Sequence, residues 1–202
     1  MNTLKQTLPK AVLFLLAAIL LCGVLYTAVV TGLAQLIFPE NANGRFFTVD
    51  GKTYGCELLA QQYTDDAHLW GRIMELDVTT HVDEEGNALL YAHPSNLSPA
   101  SEEYEALVAE RVERLRAADP EKAGEPIPVD LVTCSASGLD PHISPAAAEY
   151  QVSRIARARG MTEEEVRSVI EACTDQPFLG IFGEATVNVL EVNLTLDGIL
   201  TD

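Results

Sequence analysis

The chain has no Cys-x-x-Cys pair, no His-x-x-x-His pair, no Walker phosphate loop and no Gly-x-Ser-x-Gly elbow. The first two absences argue against a zinc centre. The third leaves no recognisable phosphate cradle, and the fourth removes the strand-turn-helix nucleophile of an α/β-hydrolase. Basic charge is scarce as well. Beyond residue 38 stand 11 of the 13 basic residues against all 30 acidic ones, a charge of −19. Such a field repels nucleic acid and anionic headgroups and gathers cations without selecting among them, and its plainest role is solubility. Cysteine use decides little: Cys56, Cys134 and Cys173 lie far apart, which leaves open one disulfide with a spare thiol or three buried thiols.

Charge of either sign is missing from Ala11 to Pro39. Within that gap AVLFLLAAILLCGVLYTAVV is long enough, at about 1.5 Å per residue, to cross a hydrocarbon core of roughly 30 Å. The stretch exceeds the h-region of about 7 to 15 residues that a cleaved secretory signal carries, so a retained membrane anchor is expected over residues 11–38. Residues 1–10 form a short basic lead and residues 39–202 a soluble domain. A lipoprotein reading of Cys22 founders on Leu21, which is larger than the small residue expected before a lipidated cysteine. Lys5 and Lys10 precede the helix, and Arg45 alone follows closely, so the N-terminus is expected in the cytoplasm and the large domain outside it. Small residues along the anchor, with Gly23, Ala28 and Gly32 as the named candidates, suit close packing against other membrane helices.

The outer part mixes strands and helices without a strict alternation, which predicts an α+β fold. RFFTVDGKTYG reads as a hairpin around Asp50-Gly51. ALLYA (88–92), IPVDLVT (127–133) and VNVLEVNLTL (187–196) read as strands, the last through its alternation. Three helices are expected. One starts at Ser98-Pro99 with Tyr104, Leu107, Val108, Val112 and Leu115 on its apolar face. One runs from Ser144-Pro145 to a stop at Gly160. The third opens on a Thr162/Glu165 capping box, with Val166, Val169, Ile170 and Cys173 inward.

SASGLDPHISP (135–145) gathers two serines, an aspartate and a histidine. Gly138 permits a sharp turn, Asp140 before Pro141 favours extended backbone, and Ser144-Pro145 starts a helix. Turn architecture therefore accounts for most of the segment. A ligand or partner contact through Ser135, Ser137, Gly138, Asp140, Pro141, His142 and Ser144 stays open, and so does a hydrolytic cluster of Ser137, His142 and Asp140.

SASGLDPHISPAAAEYQVSRIARARG closely resembles the signature of the C subunit of the bacterial Kdp potassium-transporting P-type ATPase. VVTGLAQLIFPENANG, ELLAQQYTDDAHLWGR, HPSNLSP, IPVDLVT and GEATVNVLEVNLTLD resemble that family's further blocks in order. Residues 60–97 depart from it: Ala60 stands where glycine is expected, Ile73 where proline follows the arginine, and His93-Pro94-Ser95-Asn96 replaces a Gly-Gly-Ser-Asn run. The resemblance implies one membrane helix with one α+β domain in the bacterial plasma or inner membrane. It also implies a non-catalytic accessory subunit that assists assembly and acts as a catalytic chaperone, raising the ATP affinity of the ATP-hydrolysing subunit. That subunit and a potassium-channel-like one are the implied partners. No cofactor is expected to bind firmly; ATP enters only through the ATPase subunit. Two other classes are kept beside this one: a membrane-anchored extracytoplasmic hydrolase, and a cation-binding module using the 135–144 segment.

Overall fold

A computed structural model describes residues 2–77, 80–89 and 91–201. The chain divides into two compact units, Met1–Arg45 and Phe46–Asp202.

In the first unit, α1 (Asn2–Ala18), a π-helical stretch (Ile19–Tyr26) and α2 (Thr27–Ile37) follow one another without a break, and the one-turn α3 (Pro39–Ala42) ends the run. Lys5–Ile37 spans 33 residues and holds an 18-residue window of mean hydropathy 2.7, long and apolar enough to cross a membrane. Helical backbone thus begins well before the uncharged stretch. Pro9 is accommodated inside α1, near its amino end. The Thr27 hydroxyl donates to the Cys22 carbonyl at 3.2 Å, five residues back, within the widened turns.

The second unit opens with the expected hairpin, β1 (Phe46–Val49) and β2 (Lys52–Cys56). Val49 pairs with Lys52, and Asp50 and Gly51 both take positive φ, 52° and 76°, the geometry a two-residue turn needs to match strand twist. Next come β3 (Leu76–Asp77) and β4 (Tyr91–Ala92), antiparallel to each other, so ALLYA contributes only its last two residues to a strand pair; its Leu90 lies outside the described residues. The first long helix of this unit, α4 (Glu102–Ala118), starts later than Ser98. Ser101 is the cap and accepts the Tyr104 N–H at 3.2 Å, while Ser98 supports the preceding turn. Of the expected apolar face, only Leu115 is fully buried.

IPVDLVT is not a strand. Val129–Leu131 forms one turn of 3₁₀ helix, because the Thr133 hydroxyl bonds back to the Val129 carbonyl and the Asp130 carboxylate takes the Ser144 N–H at 2.7 Å. The Thr133 bond is local and competes with a sheet ladder, while the Asp130 bond ties the turn to the start of the following helix.

The three-stranded sheet has β7 (Thr186–Asn188) at its centre, with β5 (His142–Ile143) and β6 (Thr174–Asp175) antiparallel on either side. Between β5 and β6 run α5 (Pro145–Arg159) and α6 (Glu163–Ala172). Ser144 caps α5, Gly160 ends it in the left-handed region, and the Thr162/Glu165 box is formed in both directions. VNVLEVNLTL is a strand for only two residues. From Val189 it is α7 (Val189–Leu196), because Asn188 accepts the Glu191 N–H at 3.1 Å and so caps a helix. Val189, Leu190, Val192, Asn193 and Leu194 are all buried. A helix buried on most sides carries apolar residues at every second position as readily as a strand does, so alternation misleads here. The core gathers Ala148, Val152 and Ile155 of α5 with Leu69, Ile143, Val166, Val187 and Val192.

Candidate functional site

The 133–144 loop enters from the 3₁₀ turn and leaves through β5 into α5. Every candidate residue in it is engaged by the protein's own backbone. Ser135 is buried, and its hydroxyl lies 3.2 Å from that of Ser137. Ser137 is exposed and accepts the Leu139 N–H at 3.2 Å. Gly138 sits at φ 72°; its N–H donates to the Ser135 carbonyl and its carbonyl accepts from Glu75 N, both at 3.3 Å. Asp140 receives the His142 N–H on Oδ1 at 3.0 Å, closing an Asx turn around Pro141, whose carbonyl accepts from Val189. The Ser144 hydroxyl accepts the Ala147 N–H at 3.1 Å.

The three members of the supposed hydrolytic cluster are not assembled as one. His142 Nε2 lies 3.4 Å from the Asn188 amide and its Nδ1 lies 3.9 Å from Asp140. Ser137 and His142 share no hydrogen bond among the described residues. A nucleophile needs its base within about 2.6–3.2 Å, although such bonds can be longer before substrate arrives. Neither is a metal cage formed: among the described residues no group of three or more His, Cys, Asp or Glu could hold a metal ion. The four cysteines form no disulfide.

Arg72 was not singled out as a site residue by sequence reasoning, and it clamps the loop. Its Nη1 reaches Asp140 Oδ2 at 3.3 Å, and its Nη2 reaches the Cys134 carbonyl at 2.9 Å and the Thr133 hydroxyl at 3.4 Å. In the sequence Arg72 stands out only as the residue before Ile73, where the family's proline is missing. Ile73 itself makes a parallel bridge to Cys134, and Ala60 donates its N–H to the Leu139 carbonyl at 3.0 Å. The divergent 60–97 region is therefore what the motif rests on.

A second buried polar assembly fixes residues 65–70. Arg154, 3% exposed, donates to the carbonyls of Asp65, Asp66 and His68 and to the Gln151 amide oxygen. Burial pulls its pKa down to about 10 against the pull of Asp66, Asp119 and Asp65. Gln151 spans the Trp70 N–H and carbonyl at 2.9 and 3.0 Å, and Asn193 does the same for Leu69 at 2.7 and 3.0 Å. Each amide thus imitates a neighbouring strand for one residue. At the rim, His68 lies between Asp65 and Asp197, and Arg159 also pairs with Asp197 at 2.7 Å. Partial burial would raise Asp197, but the bonds from Arg159 and His68 outweigh it and hold the carboxyl below its ordinary value. No periodicity in the sequence marks Arg154, Gln151 or Asn193; the one available signal is polar residues on otherwise apolar helix faces.

Comparison with known proteins places these features in a family. The model of the KdpC family, described as the K+-transporting ATPase c chain, matches residues 8–198. The potassium-transporting ATPase KdpC subunit of Clostridium botulinum (strain Eklund 17B / Type B) is 56% identical over 200 residues, covering 99% of this chain and 100% of the relative. That of Clostridium perfringens (strain ATCC 13124) is 58% identical over 193 residues, covering 96% and 98%. The KdpC subunit of Polaromonas naphthalenivorans is 45% identical over 196 residues, covering 97% and 96%. Matched along nearly its whole length, the chain belongs to the KdpC family.

Proposed function

We propose that the chain is the non-catalytic accessory subunit of an ATP-driven, high-affinity potassium-import complex, working beside an ATP-hydrolysing subunit and a channel-like subunit. The observation that carries this reading is the family match over residues 8–198. The 133–144 loop supports it, since its serines, aspartate and histidine are spent on backbone and clamp contacts rather than arranged for chemistry.

On this reading Lys5–Ile37 anchors the subunit, and the basic residues before it keep the N-terminus in the cytoplasm. The acidic domain then lies outside and does not meet cytoplasmic ATP. Its chaperone role, raising the ATP affinity of the hydrolysing subunit, travels as a coupling free energy through packed membrane helices. Gly23, Ala28 and Gly32 are the positions where a neighbouring helix would come close. Glycine at positions 23 and 32 leaves the helix without a side chain there, which lets a neighbouring backbone approach closely. The 135–144 segment, with Ser135, Ser137, Gly138, Asp140, Pro141, His142 and Ser144, presents the domain's partner-facing loop.

The test is a gentle-detergent pull-down of the tagged full-length chain from membranes of potassium-starved cells. The expected result is recovery of a large P-type ATPase subunit and a polytopic channel-like subunit, with potassium-stimulated ATP hydrolysis. Recovery of the chain alone, without hydrolysis, overturns the reading. The chaperone role is tested separately: the ATP affinity of the complex falls when this chain is withheld, and an unchanged affinity removes that role while leaving assembly in place.

A further inference from the structure

Three of the 11 basic side chains of the acidic domain, Arg72, Arg111 and Arg114, line one cleft of about 100 Å³, with Trp70, Leu115 and Gln61 among its other walls. Two of the guanidinium groups are already matched: Arg72 with Asp140 at 3.3 Å, and Arg111 with Glu75 at 2.8 Å. Arg114 is not. It is exposed, its guanidinium stands 4.8 Å from the centre of the Trp70 ring, and it forms no hydrogen bond or ion pair among the described residues. One donor of Arg72, its Nε–H, is buried with no hydrogen-bond partner among the described residues. Buried donors are seldom left so, because an unmade bond there is costly.

We infer that this cleft binds a small monocarboxylate. With Arg72 and Arg111 already matched to Asp140 and Glu75, Arg114 is the guanidinium left to meet an incoming carboxylate. A guanidinium presents paired N–H donors in a plane, and a carboxylate presents two oxygens at the matching spacing. The aromatic wall excludes water from one side of the contact, which strengthens it. The volume is well below the roughly 300 Å³ from which pockets for nucleotide-sized ligands start, so a small acid or a single acidic side chain fits and a nucleotide does not. The carboxylate comes either from a free organic acid or from an acidic side chain of a partner subunit.

Trp70 is the only tryptophan of the chain, so its emission reports on the cleft wall. Acetate is titrated into the full-length chain in detergent at constant ionic strength, with chloride as the balancing salt. The expected result is a saturable change in emission whose dissociation constant rises about tenfold in Arg114→Gln, the loss of one charge-assisted bond. Arg114→Lys, which keeps the charge without the fork, recovers part of the affinity. Circular dichroism checks that both variants are folded, as an exposed position leads one to expect. A second arm repeats the pull-down with Arg114→Gln: reduced recovery of partner subunits assigns the carboxylate to a partner, and unchanged recovery assigns it to a free acid. An emission change that does not saturate with acetate, or an affinity unaltered in Arg114→Gln, overturns the proposal.

Discussion

Replacing Gly138 with alanine tests whether the motif is held by backbone packing. At φ 72° the residue is in the left-handed region, where an L side chain costs about 1–2 kcal/mol. A methyl group there would lie 2.6 Å from the His93 carbonyl oxygen, 3.0 Å from the Glu75 carbonyl oxygen and 3.1 Å from His93 N. All three neighbours are backbone atoms, and they belong to one weave: Glu75 N–H donates to the Gly138 carbonyl and His93 N–H to the Glu75 carbonyl, both at 3.3 Å. None can swing aside as a side-chain tip would. Overpacking of this kind costs about 1–3 kcal/mol, so Gly138→Ala should lose about 2–5 kcal/mol in all. Gly160→Ala is the control. It has φ 66° but nothing within 4 Å of the added carbon, so it carries only the backbone strain. The gain from restricting the unfolded chain is common to both and cancels. Urea unfolding of the full-length chain in micelles, followed through Trp70, which is 8% exposed when folded, measures the difference. Equal losses for the two variants would refute the packing argument.

Three further outcomes are expected. Arg154→Met should destabilise the outer unit by at least about 3 kcal/mol, at about 1–3 kcal/mol for each buried acceptor left unsatisfied, since it strands the carbonyls of Asp65, Asp66 and His68; a melting curve close to that of the parent chain would contradict it. For Asp119, burial would raise the pKa, but the bonds from Ser153 and Arg157 outweigh it and the net shift is downward, as for Asp197. An aspartate lowered in the folded state contributes stability fully above the ordinary value of 3.8 and loses it as pH falls through the lowered folded value. Stability should therefore be insensitive to these groups at neutral pH and decline below about pH 4, with a shallower acid decline in Asp119→Asn; equal acid slopes would dismiss the assignment. Gly23→Leu should leave the outer unit folded and reduce co-purification of partner subunits, and undiminished recovery would remove the helix-packing role.

The boundaries that could be read from the sequence are those written in local chemistry. Ser144 and Gly160 bracket α5, Thr162 with Glu165 opens α6, and Asp50-Gly51 turns the first hairpin, because each is decided by a few adjacent residues. The two misread strands share another cause. At 127–133 the apolar residues point toward a sheet, but Asp130 and Thr133 bind nearby backbone and wind the segment into a turn. At 189–196 the alternation is genuine, and the helix forms because Asn188 caps it and the core receives it on several sides. Neither the cap at Asn188 nor the cap at Ser101 can be ranked against its neighbours until the packing is known. The same holds for Gln151 and Asn193, whose amide groups serve backbone at separations of 81 and 124 residues.

The motif itself was half legible, for a reason that bears on function. Serine and aspartate beside glycine and proline are the residues that catalysis recruits and also those that loops use to satisfy their own N–H groups. Here the second use accounts for Asp140, whose Oδ1 closes a turn while Oδ2 meets Arg72, and for Ser144, whose two polar contacts start a helix. Ser137 is the exception in degree. Its hydroxyl supports Leu139 and touches Ser135, yet the residue stays exposed. If the loop meets a partner, Ser137 and the half-exposed ring of His142 are the groups able to do so without dismantling the turn. A substitution at Asp140 or Arg72, by contrast, would act by loosening the loop. Contact and scaffold are thus separable by stability: Ser137→Ala should weaken association with little change in unfolding, whereas Arg72→Ala should change both.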